Sequence, residues 1–180
     1  MRTILITDAS VLINLVASGA ASEILGGCGL AFQVCPDVIA EVKILRNRET
    51  GEEHAIVLEP LFAANLLTRI EPETDEEFEL LVDYSALLRA GDGEAMCFAL
   101  AESRGHPIAI DDERAIRRAR RRNPNFETLG TLEILILWQE RNGFSDERMG
   151  LLLRSIFRFA RFRPAASHPR CAWWQRCWGG

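Results

Sequence analysis

Residues 3–15 read Thr3-Ile4-Leu5-Ile6-Thr7-Asp8-Ala9-Ser10-Val11-Leu12-Ile13-Asn14-Leu15, and the change of character at Asp8 decides the fold. Ahead of it stands a short apolar and β-branched run, too brief for a helix and suited to a buried strand. Behind it the apolar side chains fall at helical spacing, and Asp is among the favoured helix N-caps. Strand, acid, helix is how a parallel β-α-β layer begins. The same stretch has a superficial likeness to a secretion signal, with Arg2 early and small residues after it. Asp8 and Asn14 interrupt an apolar run that such a signal keeps whole, and no run approaches the length of a membrane span.

Working outward, brief runs rich in Ile, Leu and Val alternate with longer helical periodicities. Strands are expected over Thr3–Thr7, Phe32–Cys35, Leu67–Glu71, Pro107–Ile110 and, more weakly patterned, Phe126–Leu129. Pro36 suits the first position of a helix through DVIAEVKIL. Thr74 and Glu77 form a capping box ahead of FELLVDYSALL, which Gly91 closes. Asp92 can cap GEAMCFALAES, Gly105 ends it, and Ser145 can cap a last long helix through SIFRFARF. The order of elements implies an α/β layered domain. RNRETGEEH, residues 46–54, reads as a surface loop or frayed helix end. Residues 1–163 are expected to form one domain, and 164–180, PAASHPRCAWWQRCWGG, a tail that is disordered or docks on a partner.

At 180 residues, 48% of them apolar, the chain can build one core and is too short to argue for two. A net charge of −5 argues against coating nucleic acid or anionic membrane by bulk electrostatics, so any such partner must be met by a local patch. The five cysteines are an odd number without a CxxC pair, which points away from a disulfide framework or a four-cysteine zinc site and toward a reducing, cytoplasmic setting.

Acids gather where strands end and helices begin: Asp8, Asp111 and Asp112 after two strands, Glu41 in PDVIAEV, Asp92 and Glu94 in GDGEA. In open parallel sheets, ligand crevices lie outside the carboxyl ends of strands. Should the strands before Asp8 and Asp111 be neighbours, their acids meet. Carboxylates held together repel unless a cation sits between them. An all-carboxylate set suits Mg2+ or Mn2+, whereas zinc wants His or Cys. Such ions activate water and stabilise the leaving oxygen of an in-line displacement at phosphorus. No P-loop motif is present.

The series ITDASVLINL, PDVIAEV, GDGEAMCFALAES, IAIDDERAIRRA and LGTLEILI, spanning roughly residues 3 to 140 in order, resembles the PIN-domain family of ribonucleases, which includes the VapC-like toxins of bacterial toxin-antitoxin pairs. The resemblance implies a three-layer α/β/α domain with a short parallel sheet of four or five strands, and a metal-dependent endoribonuclease that hydrolyses RNA phosphodiesters with Mg2+ or Mn2+. Its metal acids would be Asp8, Glu41, Glu94 and Asp112, with Asp111 beside the last and Asp92 second to Glu94 as a catalytic acid. Ser10 would support Asp8. Many members carry Thr where this chain has Ile110, so a supporting hydroxyl would come instead from Thr131. The partners implied are RNA, an antitoxin protein and a second copy of the chain, with no membrane.

Each acid also has a structural reading. Asp8, Asp92 and Asp111-Asp112 can cap helices, Glu94 can face a helix dipole, and Glu41 can lie on a solvated face. Arg114, Arg117, Arg118 and Arg121 recur along one helical side and could meet RNA phosphates or simply balance an acidic protein. His168, Cys171 and Cys177 lack a fourth zinc ligand. Trp173, Trp174 and Trp178 could stack on bases. Two competing functions remain: a catalytically silent PIN-like module that binds RNA or protein, and another Mg-dependent phosphohydrolase in which Asp8 attacks phosphorus. The latter usually wants a second Asp two residues on, where this chain has Ser10.

Overall fold

β1 (Thr3–Thr7) buries Leu5 and Ile6 completely on opposite faces of a sheet, as a strand covered on both sides must. A computed structural model describes residues 2–88 and 91–179 of the chain. After β1 come α1 (Ala9–Ala17), α2 (Ala21–Gly27), β2 (Leu30–Val34), α3 (Pro36–Glu41), β3 (Ile44–Arg46), β4 (Glu53–Ala55), α4 (Glu59–Ala63) and β5 (Leu67–Arg69). The second half runs α5 (Asp75–Leu88), α6 (Asp92–Arg104), β6 (Ile108–Ala109), α7 (Glu113–Arg122), β7 (Thr128–Leu129), α8 (Thr131–Asn142), α9 (Asp146–Ala160) and α10 (Cys171–Gly179).

Five strands form one parallel sheet in the order β5-β2-β1-β6-β7. The chain leaves β1 toward β2 and β5 on one side, then crosses to β6 and β7 on the other. The reversal between β1 and β6 is the switch point at which open α/β sheets present their crevice. Helices flank the sheet: α6 packs on β1 and β6 and carries α5, while α1 meets α2, α8 and α9. The domain is thus α/β with a parallel central sheet flanked by helices, as the sequence implied.

Four local readings differ. The helix through DVIAEVKIL stops at Glu41, and residues 44–46 and 53–55 pair as an antiparallel ribbon where a loop or frayed helix was expected. Gly91, read as the end of α5, is the N-cap of α6, and Asp92 is the first residue of that helix rather than its cap. Thr74 does accept from the Glu77 N–H at 3.3 Å, but the Glu77 carboxylate turns to the Glu73 N–H and the Arg104 guanidinium. The fourth is the tail, which folds: α10 lies on α9, burying Trp173, Trp174 and Cys177. The Trp173 indole donates to Gln139 Oε1 at 2.7 Å, and Arg176 pairs with Asp146. Those partners sit on helices far back in the chain, so local periodicity could not announce them.

Candidate metal centre

Asp8 leaves the end of β1 with its N–H donating to Ala109 O at 2.9 Å, which stitches it to the end of β6. It is buried and caps α1, and Ser10 serves it twice: the backbone N–H at 3.0 Å and the hydroxyl at 2.6 Å both donate to Oδ2. Both bonds fall on one oxygen, so the carboxylate is fixed in direction while Oδ1 accepts no hydrogen bond among the described residues.

The first turn of α6 brings Glu94 to the same place. Its Oε1 is sealed from solvent and has no hydrogen-bond partner among the described residues. Burial chiefly, then the negative charges of Asp8 and Asp112 and, more weakly, Glu41, push its carboxyl up to about 7, against a lowering by Arg118. Glu41, the last residue of α3, is raised by burial and then by Asp8, Asp37 and Asp92, with the Gly93 backbone opposing. Gly93 is needed for that approach: a Cβ there would stand 2.8 Å from Glu41 Oε1. Four acids from four elements therefore share one electrostatic field: Asp8, Glu41, Glu94 and Asp112.

Asp112 and Asp111 are neighbours with different surroundings. Asp112 is exposed and caps α7, its Oδ1 accepting from Arg114 N–H at 2.7 Å and Ala115 N–H at 3.0 Å. Asp111 is bound on both oxygens: Oδ1 takes the Thr131 N–H at 2.8 Å, and Oδ2 takes the Thr131 hydroxyl at 2.6 Å and the Asn14 amide at 2.9 Å. Burial raises its pKa, and the bonds from Thr131 and Asn14 oppose that rise. Asn14 had drawn notice in the sequence only as a polar break in an apolar helix, yet that break was the available signal. A buried Asn must find partners.

Among the described residues, no three His, Cys, Asp or Glu side chains are already drawn to coordinating distance, and His168, Cys171 and Cys177 form no such group. The acid set nevertheless fits a hard divalent cation by chemistry. Its donors are all carboxylate, and a buried Glu oxygen without a partner costs free energy that a cation would recover.

The basic helix divides. Arg118 is half-buried and donates to Leu88 O, on the side that faces Glu94. Arg117 pairs with Glu113 on another side, and Arg114 and Arg121 are exposed.

A family model described as a PIN domain matches residues 4–164, most of the chain. The chain belongs to the PIN-domain family. Members of that family are generally nucleases, hydrolases that bind nucleic acid and usually employ divalent metals. No curated protein and no solved structure matches the chain. Among the described residues, no single helix is long and apolar enough to cross a membrane.

Proposed function

We propose that this protein is a Mg2+- or Mn2+-dependent endoribonuclease, working in the cytoplasm as the toxin of a toxin-antitoxin module. The observation that carries the reading is Glu94 Oε1, sealed from solvent and without a partner among the described residues, in the shared field of Asp8, Glu41 and Asp112. Asp8, Glu41, Glu94 and Asp112 would hold the cation, with the exposed Asp92 adding its charge beside Glu41. When bound, the ion supplies the positive charge that acidifies a water and steadies the leaving oxygen at phosphorus. Ser10 fixes the direction of Asp8. Asp111, Thr131 and Asn14 hold the β6–α7 junction, so Asp111 positions Asp112 rather than serving as a ligand itself. Glu94, its carboxyl pushed up to about 7, would have to be deprotonated to hold the ion, so affinity for Mn2+ would rise as the pH climbs through about 7. Arg114 and Arg121 meet RNA phosphates beside the crevice.

Support for the wider role is of two kinds. The five cysteines are free, in keeping with a reducing compartment. Phe78 and Val82 stand 51% and 70% exposed one turn apart on α5, an apolar face suited to an antitoxin or a second copy. The test is incubation of purified protein with single-stranded RNA, with Mn2+ and with EDTA, beside Asp8→Asn. Cleavage that needs Mn2+ and is absent from the variant is expected. Undiminished cleavage by Asp8→Asn overturns the proposal. The silent-module reading draws on the acids standing apart, and RNA bound in EDTA yet intact after Mn2+ is added would favour it.

A further inference from the structure

At the β6–α7 junction, lined by Asp111 and by none of Asp8, Glu41, Glu94 and Asp112, lies a crevice of about 680 Å³, within the range of small-ligand sites of roughly 300–1,000 Å³. Its floor is the carboxyl ends of β6 and β7. One wall is the α7 face that carries Arg117 and Arg120, and the other is the segment Phe162–Arg170 that leads into α10. Most of that second wall lies beyond residue 164, where the family match ends.

The charges lining the crevice do not cancel. Arg117 pairs with Glu113 and Arg170 with Glu133, while Asp111 is held by Thr131 and Asn14 with its pKa raised by burial. Arg120 donates only to the neutral Thr128 hydroxyl at 3.1 Å, and among the described residues Arg163 joins no ion pair. Two guanidinium groups thus line the crevice from its two walls, and among the described residues neither is paired with a carboxylate. Beside them are flat groups. Phe162 is half-buried and steadied edge-on by Trp174, and His168 is oriented by the Arg170 N–H donating to Nδ1 at 3.0 Å.

We propose that this crevice is a nucleotide subsite for single-stranded RNA, in which Arg120 and Arg163 hold a phosphate and Phe162 and His168 stack a base. Guanidinium groups bind phosphate oxygens in a fixed fork, and aromatic rings take any base face. The placement rests on the nuclease reading: Asp111 lines this crevice and the next residue, Asp112, acts on Glu94, so a strand leaving the acids across that junction delivers its next nucleotide here. The subsite would select unpaired RNA, because a base must leave its stack to enter.

The experiment is fluorescence anisotropy with a labelled single-stranded RNA 12-mer in EDTA, which separates binding from cleavage. Arg120→Glu/Arg163→Glu should weaken binding on the order of tenfold and flatten the log–log salt dependence by about 0.7 for each phosphate no longer neutralised. Phe162→Leu, which keeps an apolar side chain against Trp174, should weaken it severalfold. Unchanged tryptophan fluorescence and thermal unfolding establish that α10 stays docked in each variant. Wild-type affinity in the charge-reversed variant overturns the proposal, and so does a glutamate-rich peptide that binds as tightly as the RNA and displaces it. Weakened binding in a protein that never cleaves RNA leaves the subsite standing and fells the nuclease reading. Cleavage with binding untouched by the reversal does the opposite.

Discussion

The acid cluster and the crevice lined by Asp111 lie at the carboxyl end of the same sheet, and consecutive residues of the β6–α7 junction serve them. Toward the switch point, Asp112 acts on acids whose mutual repulsion Arg118 only partly offsets, and Glu94 Oε1 is left buried without a partner among the described residues. Toward the sheet edge, Asp111 has both oxygens bonded, and the surrounding charges are paired or positive. Extended backbone sends successive side chains to opposite sides, so one residue along the chain separates the proposed ligand from an anchor bonded on both oxygens. The lesson is that an acid pair in sequence is not a pair in chemistry: satisfied carboxylates build the frame, and unsatisfied ones are available to a ligand.

The most severe way to break this contrast is in activity. Asp112→Ala is expected to lower Mn2+-dependent RNA cleavage by at least about a hundredfold, the order seen when an electrostatic stabiliser is removed. Its stability should fall by only about 1 kcal/mol, the worth of a lost N-cap. Gel-resolved cleavage and urea unfolding read the two effects.

Asp111→Ala should reverse the balance. It strands a buried Thr131 N–H and hydroxyl donor and leaves the Asn14 amide only its 3.1 Å bond to Thr131 Oγ1, so urea unfolding should show a loss of about 2–4 kcal/mol. Asp111→Asn, which can still accept on one oxygen, should recover part of that. Equal destabilisation by the Asp111 and Asp112 alanine variants would erase the difference between frame and ligand.

Glu94 sharpens the comparison through pH. Its carboxyl, near 7 in the fold against an ordinary 4.5, holds its proton more firmly when folded than when unfolded. That contribution is full below pH 4.5 and is lost as pH rises through about 7. In EDTA, Glu94→Gln should therefore melt well above the wild type at pH 8 and at nearly the same temperature near pH 4.5. Scanning calorimetry at the two pH values decides it.

The smallest effect concerns Gly93. In Gly93→Ala the new methyl meets Glu41 Oε1, the movable end of a side chain, while the helix gains up to about 1 kcal/mol of propensity. Stability should change little, and the Mn2+ concentration for half-maximal cleavage should rise severalfold. An unaltered Mn2+ requirement would detach Glu41 from the site.

Much of the fold was legible in the sequence because it is local. The five parallel strands were marked by short apolar runs, Asp8 by its position at a strand end, and Ser145 by its place before an amphipathic helix. What was misread depended on distant partners. The β3–β4 ribbon is polar enough to pass for a loop, since only the half-buried Leu45 points inward from the two short strands. The tail has too few residues to show a period, and its helix is fixed by Gln139, Asp146 and the rings of Phe157 and Phe162. Gly93 and Asn14 are single residues whose purpose appears only when another element arrives beside them.

Sequence by itself determined the alternation of strand and helix, the capping acids and the carboxylate-rich character of the chain, since hydrophobic period and cap chemistry act within a few residues. Tertiary structure alone decided that β1 lies against β6, that Glu41 and Glu94 feel Asp8, and that Asn14 reaches Asp111 across 97 positions of chain. Strand order is set by how the crossover helices bury their apolar faces, a property of the whole core that no local pattern carries.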